Sequence, residues 1–195
     1  MQAWGALLDG IAGRLAGWPA AAGFLPLLAG LPATIARAAP QSVVEKLPVQ
    51  RFWPMAGAGD DLGRLMSAVD DALTVAWRQN PNYRAHPPSA GFLDNYGYLE
   101  CAGPTASLHT TGLRLGLLLL GPKTLYPPHH HPAEEVYLPL GPGRWLRDGD
   151  DWQDVPAGAV IHHPPMCGHA TQSGPTPLAA IYLWRGEIGP AAKIG

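Results

Sequence analysis

The sequence predicts a mostly β protein: a small barrel or double-sheet jelly roll preceded by a helical lobe. Three observations predict it. Apolar stripes at helical spacing stop near residue 85. After Gly91, short apolar runs recur, separated by turns rich in glycine and proline. The 195 residues include 24 glycines and 22 prolines, which favour frequent turns over a long helical bundle. The expected division is a helical lobe over 1–85 and a barrel over 91–195.

In chain order, residues 2–16 read as a helix with Leu7, Leu8, Ile11 and Leu15 on one face. Residues 24–38 give a second helical candidate, interrupted by Pro26 and Pro32. The stretch 41–54 is limited by Pro48 and Pro54. The cleanest helix spans 61–78, where Leu62, Leu65, Met66, Val69, Leu73, Ala76 and Trp77 recur every three or four residues. Asp60 or Asp61 can cap it, and Asn80-Pro81 closes it. Strands are then expected at 93–100, 105–110, 113–120, 123–127, 134–140, 143–147, 151–155, 159–162 and 178–185. The run Leu115–Leu120 also suits a buried helical turn by periodicity, but the bounding Gly121-Pro122 favours a strand.

Composition narrows the function. A hydrophobic content of 47% supports a core, and a formal charge of -2 without a basic run argues against nucleic acid as a partner. Two cysteines, Cys101 and Cys167, make neither a disulfide framework nor a CxxC pair, so a reducing, cytoplasmic setting fits. The N-terminus lacks the basic start of a secretory signal. No apolar run reaches the roughly 18 residues of a membrane span. The chain is expected to act on a small molecule, as a monomer or homodimer.

One stretch concentrates the chemistry: Tyr126-Pro-Pro-His129-His130-His131-Pro-Ala-Glu134-Glu135-Val136-Tyr137. His129, His131, Glu135 and Tyr137 share one parity, so an extended chain would point them the same way unless Pro132 resets it. Imidazole, carboxylate and phenolate donors suit a transition ion better than calcium or magnesium. His86 and His109 stand apart, His109 being a lesser pocket candidate. Cys167 lies near His169 in sequence and offers a further donor.

His129-x-His131-x-x-x-Glu135 followed by Gly141 resembles the first cupin motif, and Pro156-x-Gly158 with His169 resembles the second. A cupin histidine usually follows the PxG turn at once, whereas here His162 and His163 come first and His169 later. Over most of the chain, and most specifically over 120–185, the sequence resembles the bacterial cupin-type dimethylsulfoniopropionate (DMSP) lyases. Tyr126-Pro-Pro-His-His-His-Pro-Ala-Glu-Glu-Val-Tyr137-Leu-Pro-Leu, Ile161-His-His-Pro-Pro-Met and His169-Ala carry that resemblance. It implies a cupin barrel behind a helical lobe and cleavage of DMSP to dimethyl sulfide and acrylate. It also implies one transition-metal ion per chain, iron, zinc or manganese, held by His131, Glu135, Tyr137 and His169. Tyr126, His129, Tyr137 and Trp184 would line the reaction pocket. His130, His162 and His163 would pack around it, and Glu134 could orient a ligating imidazole.

The expected chemistry removes the proton beside the substrate carboxylate. A tyrosine, ordinarily of pKa near 10, needs a nearby positive charge to serve as base. Tyr126 and Tyr137 are the candidates, with His129 beside them. Trp184, Tyr126 or Tyr96 could face the sulfonium through cation–π attraction, while Trp145 and Trp152 suit ordinary packing. Two other readings stay open: another metal-dependent cupin enzyme, such as a dioxygenase or isomerase, and a non-catalytic small-molecule binder.

Overall fold

A computed structural model describes residues 2–34, 46–73, 76–106 and 108–194. Helix α1 (Gln2–Leu15) buries Trp4, Leu7, Leu8, Ile11 and Leu15. A short 3-10 turn leads into α2 (Leu25–Ala29), which carries Pro26 in its first turn. The expected helix over 24–38 is therefore much shorter; its residues 35–38, like 41–45 of the next stretch, lie outside the described residues. Helix α3 (Asp61–Leu73) buries Leu62, Met66, Val69 and Leu73. Asp60 caps it, accepting from the Leu62 amide at 2.9 Å, and also receives both hydrogen bonds of Arg14 at 2.8 Å. One carboxylate thus starts α3 and ties it to α1.

The expected continuation of this helix to residue 78 is corrected. Trp77–Arg78 is a strand, β1, paired with Leu99 and Tyr98. Residues 74–75 of the expected helix lie outside the described residues. The apolar spacing of Ala76 and Trp77 fits a helix only by coincidence. Helix α4 (Pro81–Ala85) follows, with the Asn80 side chain accepting from the Asn82 amide at 2.9 Å.

The remaining strands are β2 (Tyr96–Gly103), β3 (Leu108–His109), β4 (Leu113–Leu120), β5 (Leu125–His130), β6 (Ala133–Pro139), β7 (Gly143–Arg147), β8 (Gln153–Val155), β9 (Ile161–His163), β10 (His169–Ser173), β11 (Leu178–Gly186) and β12 (Lys193–Ile194). They form two sheets. The larger runs β1-β2-β4-β11-β6-β9, with β3 on β2, and the smaller runs β12-β5-β10-β7-β8. Apart from β2–β3, the pairings are antiparallel. The fold is mostly β, a cupin-like pair of sheets with an N-terminal helical lobe. Strands β10 and β12 add to the expected set. Residues 93–95 form a 3-10 turn rather than the start of a strand.

Side-chain parity explains how helices and sheets meet. Leu115, Leu117 and Leu119 join the helices in one core with Val136, Leu138, Ile181 and Leu183. Leu118 and Leu120 face the other way, with Tyr126, Tyr137, Trp145, Ala180 and Tyr182. The large sheet is covered on both faces, so β4 reads as a continuous apolar run. Each fully buried leucine contributes roughly 2 kcal/mol relative to exposure. The Pro156-Ala-Gly158 turn needs φ of +82° at Gly158, a conformation glycine adopts without a Cβ penalty. Its amide then donates to Pro139 O at 2.9 Å and returns the chain to β6.

Candidate metal centre

Three strands and one connection meet on the inner side of the large sheet. Glu135 on β6 pairs in register with Trp184 of β11 and His163 of β9. His131 lies in the connection where the chain passes from β5, in the small sheet, to β6 in the large one. His169 opens β10 in the small sheet, opposite His129 of β5. Glu135, His131, His163, His169 and His129 are all buried.

The ligand-capable atoms converge. His131, Glu135 and His169 each offer one donor atom, and these lie within 4.8 Å of one another. Nε2 of His131 and Nε2 of His169 are each 3.1 Å from Glu135 Oε2. The His169 nitrogen has no hydrogen-bond partner despite that closeness, because its direction does not suit one. A buried nitrogen so placed beside a carboxylate is open to an ion or a water. The Nδ1 atoms are engaged elsewhere: His131 with Ala133 O at 3.0 Å, His169 with Cys167 O at 3.0 Å. A carbonyl only accepts, so each Nδ1 carries the proton and each inward Nε2 keeps its lone pair. A candidate metal-binding site is therefore present, built from donors that fit a transition ion.

The electrostatics agree. Burial would raise the Glu135 carboxyl. The surrounding imidazoles, His131 first, outweigh it and hold Glu135 well below the usual carboxylate range. Trp184 Nε1 donates to Glu135 Oε1 at 2.6 Å, so one oxygen is fixed by an indole and the other faces the imidazoles. The Trp184 ring also stacks on His131, 3.9 Å between centroids. Burial pushes His163 down to about 4, and burial, with His169 next, pushes His129 well below 6.5.

A cavity of about 440 Å³ opens from Glu135, with Tyr96, Tyr126, Tyr137, Tyr182 and Trp184 among its walls. Simple alternation would separate Tyr126 from His129. A register shift in the β5–β10 pairing, where Thr171 opposes Tyr126 and His169 opposes His129, brings both inward. Their rings stack at 4.0 Å, and His129 meets His169 edge-on at 4.2 Å. Tyr126 reaches the hydroxyl of Tyr83 at 3.3 Å. Burial, the largest cause, drives both Tyr126 and Tyr137 well above 10, and the Glu135 charge raises Tyr137 further. Neither phenol is a base near neutral pH unless a positive charge stands beside it.

Several expected residues sit elsewhere. Glu134 orients no ligating imidazole; it holds His162 at 2.9 Å and Arg185 at 2.6 Å. The orienting groups are backbone carbonyls, which sequence reasoning did not identify. The Cys167 thiol turns to Gly168 O at 3.5 Å, and the residue serves the site through its carbonyl. His109 is exposed, engaging Pro104 O at 3.1 Å, and the structure does not bring it to the cavity. His163 lies closer to the centre than expected, with Nδ1 3.5 Å from Glu135 Oε2 and its ring 4.0 Å from His169. Its nearness to the PxG turn was the available signal.

Comparison with known proteins places this arrangement. The model of the dimethylsulfoniopropionate lyase family matches residues 34–180. The chain is 29% identical over 182 residues to dimethylsulfoniopropionate lyase DddQ of Ruegeria pomeroyi, covering 89% of this chain and 84% of that protein. The crystal structure of that DddQ superposes with a TM-score of 0.74 at 24% identity, over 98% of this chain and 95% of the other. A structure from a study of the DMSP lyases RdDddP and RnDddQII gives 0.69 at 22% identity, over 97% and 98%. These two similarities speak to fold. With its two cupin-like sheets and inward His131–Glu135–His169 cluster, the chain belongs to the cupin-type DMSP lyase family.

Proposed function

We propose that this metal-binding cupin enzyme is a β-elimination lyase that converts DMSP to dimethyl sulfide and acrylate. The observation that carries the reading is the meeting of two Nε2 atoms and one carboxylate oxygen at Glu135, which also lines an aromatic cavity. His131, Glu135 and His169 would hold the ion, with Tyr137 joining them. A bound transition ion supplies Lewis acidity toward a carboxylate and a positive field that lowers the pKa of nearby phenols.

In this reading Tyr126 is the base. It borders the cavity, and its hydroxyl meets that of Tyr83, a neutral partner. The phenolate oxygen of Tyr126 takes the proton beside the substrate carboxylate. The electrons of that C–H bond form the new C=C bond, and the C–S pair leaves with sulfur as neutral dimethyl sulfide. Tyr137, beside Glu135, is the alternative base and the closer ligand. His129 supports the Tyr126 ring, and Tyr96, Tyr126 and Trp184 offer aromatic walls to the sulfonium.

The test is incubation of metal-quantified protein with DMSP, with and without oxygen. Equal amounts of dimethyl sulfide and acrylate in both atmospheres are expected. Oxygen consumption with incorporation into product would replace elimination with oxygenation, and binding without turnover would leave a binder.

A further inference from the structure

We propose that residues 187–194 form a strap across the cavity mouth, latched by Asn80 and Asn82, and that its release is the route for small molecules. The strap leaves β11 at Gly186, where φ is +81°, and ends as β12 against His130 and His129 of β5. It therefore spans from the large sheet to the small one. Pro190, Ala191 and Ala192 line the same cavity as Glu135, Tyr126 and Trp184.

The attachments are few and concentrated. Arg114 Nε donates to Ile188 O at 2.8 Å, anchoring the first half. Asn80 Nδ2 and Asn82 Nδ2 both donate to Ala192 O, at 3.0 and 3.3 Å, anchoring the second. Ile188 and Ala192 are buried, while 189–191 between them are exposed. Among the described residues, backbone pairing is added by a two-residue strand. The facing walls include β4, β6 and β11, whose opening would break long ladders, and the segment from Trp77 to Arg84, which carries the two asparagines. The strap costs less to open than those ladders, and one carbonyl carries its latch. The inference depends on the cavity and not on which substrate the site takes.

Asn80→Asp separates latch from scaffold. The remaining Oδ1 can still cap α4, while an oxygen replaces the amide that donates to Ala192 O. Asn82→Ala is the milder variant and leaves Asn80 untouched. Two quantities are read on folded, zinc-loaded protein: amide hydrogen exchange over 187–194, and the rate of zinc transfer to excess chelator. Both should rise about tenfold in Asn80→Asp and by less in Asn82→Ala, with exchange in β6 and β11 and the equilibrium zinc affinity unchanged. Faster strap exchange with an unchanged transfer rate would overturn the gate. Unchanged strap exchange in both variants would overturn the latch. Comparable zinc-free protein, read by hydrogen exchange alone, keeps the latch testable if the metal reading fails.

Discussion

Two carboxylates, buried Glu135 and half-buried Asp70, are shifted in opposite directions by their surroundings. Glu135, between the sheets, is held well below the usual carboxylate range. Asp70, on α3, is pushed up to about 6, with burial the largest cause. Both accept from indoles: Glu135 from Trp184 at 2.6 Å, Asp70 from Trp53 at 3.0 Å and Trp77 at 3.3 Å. Neutral donors offset part of the desolvation cost at Asp70 and no more. Around Glu135 the added partners are imidazoles, which can carry charge or hold a cation. Burial with neutral donors makes a structural carboxylate, while burial with convergent imidazoles makes a candidate metal site.

The largest effect should come from the ligand cluster. His169→Ala or His131→Ala should cost turnover about 10³-fold or more, as expected when several kcal/mol of charge stabilisation is lost. Bound metal, measured by elemental analysis, should fall with it. Full occupancy and activity in His169→Ala would remove that residue from the role. Next come the phenols. Tyr126→Phe should keep metal content while turnover drops about 10²–10⁴-fold, the range of general base catalysis. Tyr137→Phe should also alter metal affinity. Exchange of the α proton of a non-eliminating analogue in heavy water assigns the base; normal exchange in Tyr126→Phe and none in Tyr137→Phe would reverse the assignment.

Trp184→Phe keeps a ring against His131 but deletes the donor to Glu135 Oε1. A loss of about 10–100-fold in metal affinity is expected, the range for an outer partner of a ligand. Undiminished affinity would make the indole a pocket wall only.

The smallest effect belongs to Asp70 and concerns stability. Its folded pKa, about 6, lies above the unfolded 3.8. Its favourable contribution is thus full below about pH 4 and disappears as pH rises through 6. At pH 8 the ionised group costs roughly 2 kcal/mol after allowing for residual solvent. Asp70→Asn should therefore raise the urea midpoint at pH 8, with the difference from wild type vanishing toward pH 4. A pH-independent difference would mean that Asp70 titrates normally.

Much of this was legible in the residues. Helix α1 and the start of α3 follow from apolar spacing and from Asp60, and β4, β6, β7 and β11 follow from apolar runs between turns. Glu135 and Tyr137 do share a face of β6, as parity requires. What was not legible has physical causes. Strand β10, His169-Ala-Thr-Gln-Ser173, has little apolar signal because its inward residues serve a polar interior. Trp77 belongs to an edge strand because pairing with β2 overrides the helical spacing. Tyr126 and His129 share a wall only through the irregular β5–β10 register. The Nδ1 partners are carbonyls, which every residue owns and no side-chain pattern reveals.

Glu135, unlike Asp70, is the carboxylate of the candidate metal site. Metal competition against a chromophoric chelator tests it on wild type, Glu135→Gln and Asp70→Asn. One ion per chain at equal affinity is expected for wild type and Asp70→Asn, with a loss of more than about 100-fold for Glu135→Gln, beyond what an outer partner contributes. Wild-type affinity in Glu135→Gln would contradict it.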